Sequence, residues 1–165
     1  LGVLSGHRDE ASQMIARFGT GLVEMSRQVE GIPEEKRKKV YFESIHKRMK
    51  TFAPQSMAIF VLESAGGVNV AKDAVQVRTS NIAEYGKERI LAKAEQIEVF
   101  LAQDGRMNKV SKEMILEEPG FQVIKAVKEG QVFLVDEKIV SRPTLGLLEG
   151  MQKIFRLLYP TPDAS

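Results

Sequence analysis

Three stretches of this sequence gather side chains able to hold a small charged molecule. Ser44 to Ala53 carries His46, Lys47, Arg48, Met49, Lys50 and Phe52. Gln103 to Val110 carries Asp104, Arg106, Met107, Asn108 and Lys109, and Asp136 to Thr144 carries Lys138 and Arg142. Together they are net basic, and guanidinium and ammonium groups bind carboxylates and other oxyanions through charge-assisted hydrogen bonds. Arg142 is the best placed of them: Pro143 stiffens its loop, so the planar fork of donors is held in one direction. Met49, Met107 and Phe52 could supply apolar contact, although methionine fills gaps anywhere. His46 stands alone, and a lone loop histidine is more often solvated than a ligand.

Other chemistries find no footing. The sequence has no Gly-x-Ser-x-Gly elbow, no Walker loop and no dinucleotide fingerprint, and Gly66-Gly67 lacks the Gly-Lys-Ser that would hold a phosphate. With two histidines and no His-x-x-x-His or Glu-x-x-His pair, there is no metal-ligand spacing. Glu113, Glu117 and Glu118 read as a solvated face, and Asp136-Glu137 as a turn. No catalytic residue, resident metal or cofactor is expected. The absence of cysteine excludes disulfides and thiolate sites within these residues. A formal charge of +2 over 165 residues gives no reason to expect nucleic acid. No apolar run approaches the length that crosses a bilayer.

The elements that must position these loops follow from periodicity. Ala11, Met14, Ile15, Phe18, Leu22, Met25 and Val29 recur at helical spacing, so Asp9 to Glu30 is expected to form one long helix. Asp9 would be its N-cap and Gly31-Ile32-Pro33 its stop, with Gly19 and Gly21 weakening its middle. The apolar stripe is narrow, as on a helix that leans on something rather than being enclosed. Val40-Tyr41-Phe42 reads as a strand and Pro54 to Ala65 as a helix with a left-handed cap at Gly66-Gly67. Lys87 to Ala94 is expected to be helical, Ile97 to Leu101 a strand, Pro119 to Val127 a short helix and Gln131 to Val135 a strand. Leu145 to Leu158 closes as a helix, and the tail Pro160 to Ser165 is expected to be loosely ordered. Strands alternating with helices argue for an α/β fold, a mostly parallel sheet covered on both faces. In such sheets ligands gather outside the carboxyl ends of the strands, where all three basic loops would then lie.

The order of these pieces carries a resemblance. A strand ending Val40-Tyr41-Phe42-Glu43 leads to Ser64-Ala65-Gly66-Gly67-Val68-Asn69-Val70-Ala71. A helix with Lys87-Glu88-Arg89-Ile90-Leu91 comes next, then Lys128-Glu129-Gly130-Gln131-Val132-Phe133, and then Ser141-Arg142-Pro143 before a last helix. This order resembles the C-terminal lobe of the periplasmic substrate-binding proteins that deliver ferric siderophores, haem and cobalamin to ABC importers. The resemblance implies two Rossmann-like α/β lobes joined by a long helix, with the ligand between them. Residues 1–33 would be the connecting helix with its flanks and 34–165 the C-terminal lobe; the N-terminal lobe and any signal segment or lipid anchor would lie outside this sequence.

It further implies a periplasmic or extracytoplasmic carrier, not an enzyme, whose partners are a metal chelate and a membrane permease. Tyr85-Gly86-Lys87-Glu88-Arg89-Ile90-Leu91 is similar to the stretch that bears the permease-docking glutamate, which places that role on Glu88, with Glu84 second. Lys87 and Arg89 would partly offset its charge. Arg78, Asn81, Ile82 and Tyr85 fall where relatives place ligand-contacting side chains. No tryptophan is present, so Tyr85 or Phe52 would stand in for an aromatic wall. A ferric siderophore suits the basic rim best, with haem and cobalamin open. A sensor or co-receptor lobe and a lobe of a two-lobed metalloenzyme are the other readings. Met14, Phe18 and Leu22 would also let these residues self-associate.

Overall fold

The computed structural model describes residues 8–162, so the last three residues of the expected loose tail lie outside it. It opens with helix α1 (Arg8–Glu30). Asp9 sits inside the first turn of α1 instead of capping it, where a carboxylate still meets the positive end of the helix dipole. Strands β1 (Lys39–Ile45) and β2 (Lys50–Phe52) follow, joined by a 3-10 turn at His46–Arg48. Helix α2 (Met57–Ser64) comes next. It starts later than Pro54 because Ser56 caps it, accepting from the Ile59 amide. Gly66 ends it with φ +82°, a conformation that needs no Cβ.

Short strands β3 (Val68–Asn69), β4 (Val75–Gln76) and β5 (Ile82–Glu84) lead to α3 (Lys87–Ala92). Then come β6 (Val99–Asp104) and α4 (Lys112–Leu116). The helix expected from Pro119 to Val127 is broken in two, a 3-10 turn at Phe121–Val123 and α5 (Lys125–Lys128), because Ile124 is extended between them. Strand β7 (Val132–Asp136) runs straight into α6 (Glu137–Val140), and α7 (Gly146–Leu158) completes the order.

The seven strands form one sheet in the order β4-β5-β2-β1-β6-β7, with β3 beside β1. Strands β3, β1, β6 and β7 pair in parallel, whereas β2, β5 and β4 extend the sheet antiparallel. The stretch expected as a loop from Ser44 to Ala53 is therefore mostly strand, a hairpin with a bulge between Glu43 and Ile45. Its three-residue second strand is too short to announce itself by alternation.

Alternation does govern the core. Val40, Phe42, Val99 and Leu101 face one side and pack with α1, α2 and α7, while Tyr41 and Phe100 face the other with Ile90, Ile115, Phe121 and Ile124. The sheet is thus covered on both faces, a three-layer Rossmann-like lobe. Gly21, expected only to weaken α1, has a packing role: a Cβ there would lie 2.6 Å from Leu148, so its absence lets α7 approach.

Candidate functional site

Because β1, β6 and β7 are parallel, their carboxyl ends open on the same edge. There the turns after β6 and β7, the end of β2 and the β4–β5 turn enclose a groove of about 550 Å³. Phe52 forms its apolar wall, with Asn81 and Ile82 beside it. Gln103, Arg106, Met107, Glu137, Ser141 and Arg142 supply the opposite, largely polar side. An adjoining basin of about 520 Å³ shares Arg106, Glu137 and Arg142 and adds Asp104, Lys109, Asp136 and Lys138. The rim is less basic than its sequence suggests, since Asp136 caps α6 and Glu137 lies 3.6 Å from Arg142 Nη2. Arg106 and Arg142 still expose their guanidiniums beside the edge of the largely buried Phe52 ring. Such a surface accepts an anionic or hydrogen-bonding molecule of modest size.

Of the residues singled out from sequence, Phe52, Arg106 and Arg142 meet in this groove, along with Met107. Arg78 stands at the tip of the β4–β5 turn with φ +53°, next to the lining residues but not among them. Arg48 is exposed on the turn after β1, and Met49 takes φ +49° and packs against the core. Neither lines the groove. Tyr85 does not form its aromatic wall: it is buried on the opposite face of the sheet against Tyr41, with its ring 4.6 Å under the Arg89 guanidinium.

His46 is neither a solvated loop residue nor part of the groove. Its side chain is 5% exposed, with Nδ1 2.9 Å from Glu43 and Nε2 3.5 Å from Glu118. Its backbone N–H donates to Asn108 Oδ1 at 2.9 Å, and Asn108 Nδ2 donates to the Gln103 carbonyl at 2.7 Å. The carboxylate of Glu43 raises the histidine pKa above its ordinary value, and burial raises that of Glu43. A doubly protonated ring satisfies both carboxylates at once; a neutral ring leaves one of them facing a lone pair. The chain of charges continues outward, because Glu118 also accepts from Lys87 at 2.6 Å. This buried network braces the strand ends from behind, and Gln103, whose amide oxygen accepts from Ser141, links it to the groove.

The start of α3 lies on the same edge. Gly86 N–H donates to the Met49 carbonyl at 3.0 Å, which ties the helix to the turn after β1. Glu88, in the first turn of α3, is exposed and has no ion-pair partner among the described residues. Its neighbours do not offset it as expected from sequence: Lys87 pairs with Glu118 at 2.6 Å and Arg89 with Asp73 at 2.6 Å. Lys93 also holds Asp73, and with Arg89 it lowers the Asp73 pKa to about 2. Glu84 differs from Glu88 in being paired, with Lys50 Nζ 2.6 Å away.

Sequence reasoning passed over Gln103, Ser141, Glu118 and Glu137. The first two are polar residues in runs that look like strand and loop, with nothing to distinguish them. Glu118 reads from sequence as solvent-facing charge and Glu137 as part of a turn. Glu137 offered one legible signal, since a carboxylate directly after an apolar strand falls at the strand's carboxyl end.

A family model described as periplasmic binding protein matches residues 1–139. The chain belongs to the periplasmic binding protein family. That family consists of solute-binding transport proteins. No curated protein sequence matches this chain significantly. Among solved structures, an ABC transporter solute binding protein from Sulfurospirillum deleyianum DSM 6946 is similar at 27% identity and TM-score 0.77, covering 97% of this chain and 49% of its own. An ABC-type Fe3+-hydroxamate transport system protein from Saccharomonospora viridis DSM 43017 shares the fold at 22% identity and TM-score 0.75, with 94% and 51% covered. A Ni–His complex of Helicobacter pylori CeuE does so at 22% and TM-score 0.73, with 91% and 45% covered. The chain thus spans about half the length of these solved proteins.

Proposed function

We propose that these residues form the C-terminal lobe and connecting helix of the substrate-binding component of an ABC importer, working outside the cytoplasmic membrane. The cargo is an iron chelate, with a ferric siderophore preferred over haem or cobalamin. The observation that carries the reading is the carboxyl-edge groove, where Arg106 and Arg142 face an aromatic wall on the edge that also bears Glu88. Guanidiniums suit the anionic oxygen donors at the periphery of many ferric chelates, and Phe52 suits their apolar spacers. Family membership and the Fe3+-hydroxamate protein among the fold neighbours support the same class of cargo. No helix among the described residues is long and apolar enough to cross a membrane.

Glu88 is the proposed docking residue for the permease. Its exposure, and its lack of an ion-pair partner among the described residues, leave its carboxyl group open to an arginine of the membrane partner, whereas Glu84 would first have to leave Lys50. Native mass spectrometry of the complete protein against ferric siderophores, haem and corrinoids tests the reading. Retention of one chelate at one-to-one stoichiometry supports the carrier and names its ligand class. Failure of the whole panel moves the weight to a sensor lobe that presents Glu88 without carrying cargo.

A further inference from the structure

Glu137 is the sole carboxylate among the groove's lining residues, and it touches both arginine-bearing loops. Its Oε2 accepts the backbone N–H of Arg106 at 3.0 Å, and its Oε1 lies 3.6 Å from Arg142 Nη2. The two fit closely: a Cβ at Gly105 would overlap the end of this side chain, so the carboxylate keeps its place under the Arg106 loop only while position 105 is glycine or the side chain swings aside. The glutamate side chain is 12% exposed while that of Arg142 is 56% exposed, so the carboxylate is fixed and the guanidinium can turn toward a ligand. Among the described residues Arg106 has no ion-pair partner.

We propose that Glu137 is a positioning and selectivity residue of the groove: it pins the Arg106 loop and sets the groove's charge by offsetting Arg142. The groove then presents two guanidiniums against one carboxylate, which favours ligands of low negative charge over polyanions. This rests on the reading of the groove as the ligand cleft, and it separates two roles that one substitution would confuse. Gln at position 137 keeps an oxygen to accept from Arg106 but loses the charge. Ala loses both.

The test compares wild type, Glu137→Gln and Glu137→Ala by NMR, following the Arg106 amide and the Arg142 side chain. Inorganic phosphate is the first probe, then a trianionic ferric triscatecholate against a neutral ferric trishydroxamate, with gallium replacing iron for the spectra. Glu137→Gln is expected to leave the Arg106 amide in place and to bind phosphate roughly two- to fivefold tighter, the range for removing one partly exposed charge partner. The same variant should shift preference toward the triscatecholate by a similar factor. Glu137→Ala should move the Arg106 amide and speed its hydrogen exchange. Equal phosphate affinity in wild type and Glu137→Gln overturns the proposal, as does an unmoved Arg106 amide in Glu137→Ala or a phosphate that perturbs neither arginine in any variant. If phosphate responds as expected and neither chelate binds, the charge-setting role stands and the reading of the groove as a chelate cleft falls.

Discussion

Two grooves of similar size flank the segment from Ser141 to the first turn of α7, and their chemistry is opposite. On one side Ser141 and Arg142 join the polar groove of about 550 Å³ at the carboxyl edge. On the other, Pro143, Thr144, Leu145 and Leu147 join Met14, Ile15, Phe18, Met57 and Phe60 around an apolar groove of about 430 Å³. The first loses little by facing solvent, since water solvates charges and amides well and Glu137 lies beside Arg142. The second exposes Met14 at 51%, Ile15 at 73% and Phe60 at 45%, surface that gains by being covered. A small polar ligand suits the first groove and a packed protein surface suits the second. Helix α1 shows the same division along its length, for Met25 and Val29 near its end are buried in the core while Met14 and Ile15 near its start are not.

The largest expected effect probes that division directly. Met25→Ala should destabilise the fold by about 2–5 kcal/mol, the cost of a cavity at a buried site, and Ile15→Ala should change it by no more than about 0.5 kcal/mol. Urea unfolding of the two variants checks this, and equal losses would mean that α1 is buried along its whole length. Within the polar groove, Arg142→Ala should leave stability within about 0.5 kcal/mol of wild type and weaken an anionic ferric chelate by roughly tenfold or more in the complete protein, since a hydrogen bond to a charged group contributes about 1.5–3 kcal/mol. Isothermal titration separates that from a folding defect. Glu88→Ala should slow uptake in cells by about tenfold with ligand affinity unchanged, because a docking charge acts on the permease and not on the cargo. Unchanged uptake would leave Glu88 as an ordinary helix-start carboxylate.

The smallest effects are in pH. His46 has a raised pKa in the folded state, so its stabilisation is complete below its ordinary value of 6.5 and is lost as pH rises through the folded value. Glu43, also raised, adds to the loss with the same sign from its ordinary 4.5 upward. Stability should therefore decline on the alkaline side, and His46→Gln should flatten that slope. Asp73 runs the other way: its contribution is present above 3.8 and disappears as pH falls toward about 2. Its half-exposed position keeps that contribution small.

The parallel strands, the long helix and the edge on which the loops gather are all legible in the sequence, because the β-branched and aromatic run Val40-Tyr41-Phe42 and the helical spacing of Met14 to Val29 are strong local signals. The antiparallel extension is not. Strands β2, β5 and β4 have three residues or fewer, too short for a period, and tertiary pairing rather than propensity sets them. The placement of Arg106 and Arg142 around one groove is legible because a charge in a strand-end loop has one edge to occupy. The enclosure of His46 is not, because Glu43 and Glu118 are far apart in sequence and meet only when α4 and the turn before Phe121 fold over β1. The pairing of Lys87 and Arg89 away from Glu88 is hidden for the same reason.

The most direct test of the polar groove as the cargo site is paramagnetic broadening by a ferric siderophore, with the gallium complex as the diamagnetic reference. It registers weak as well as tight binding and reports position residue by residue. Broadening centred on Asn81, Gln103, Arg106 and Arg142, and sparing Met14 and Phe60, is the expected result. Broadening centred on the apolar groove, or uniform across the molecule at every concentration, would contradict the assignment of the carboxyl-edge groove as the place where cargo binds.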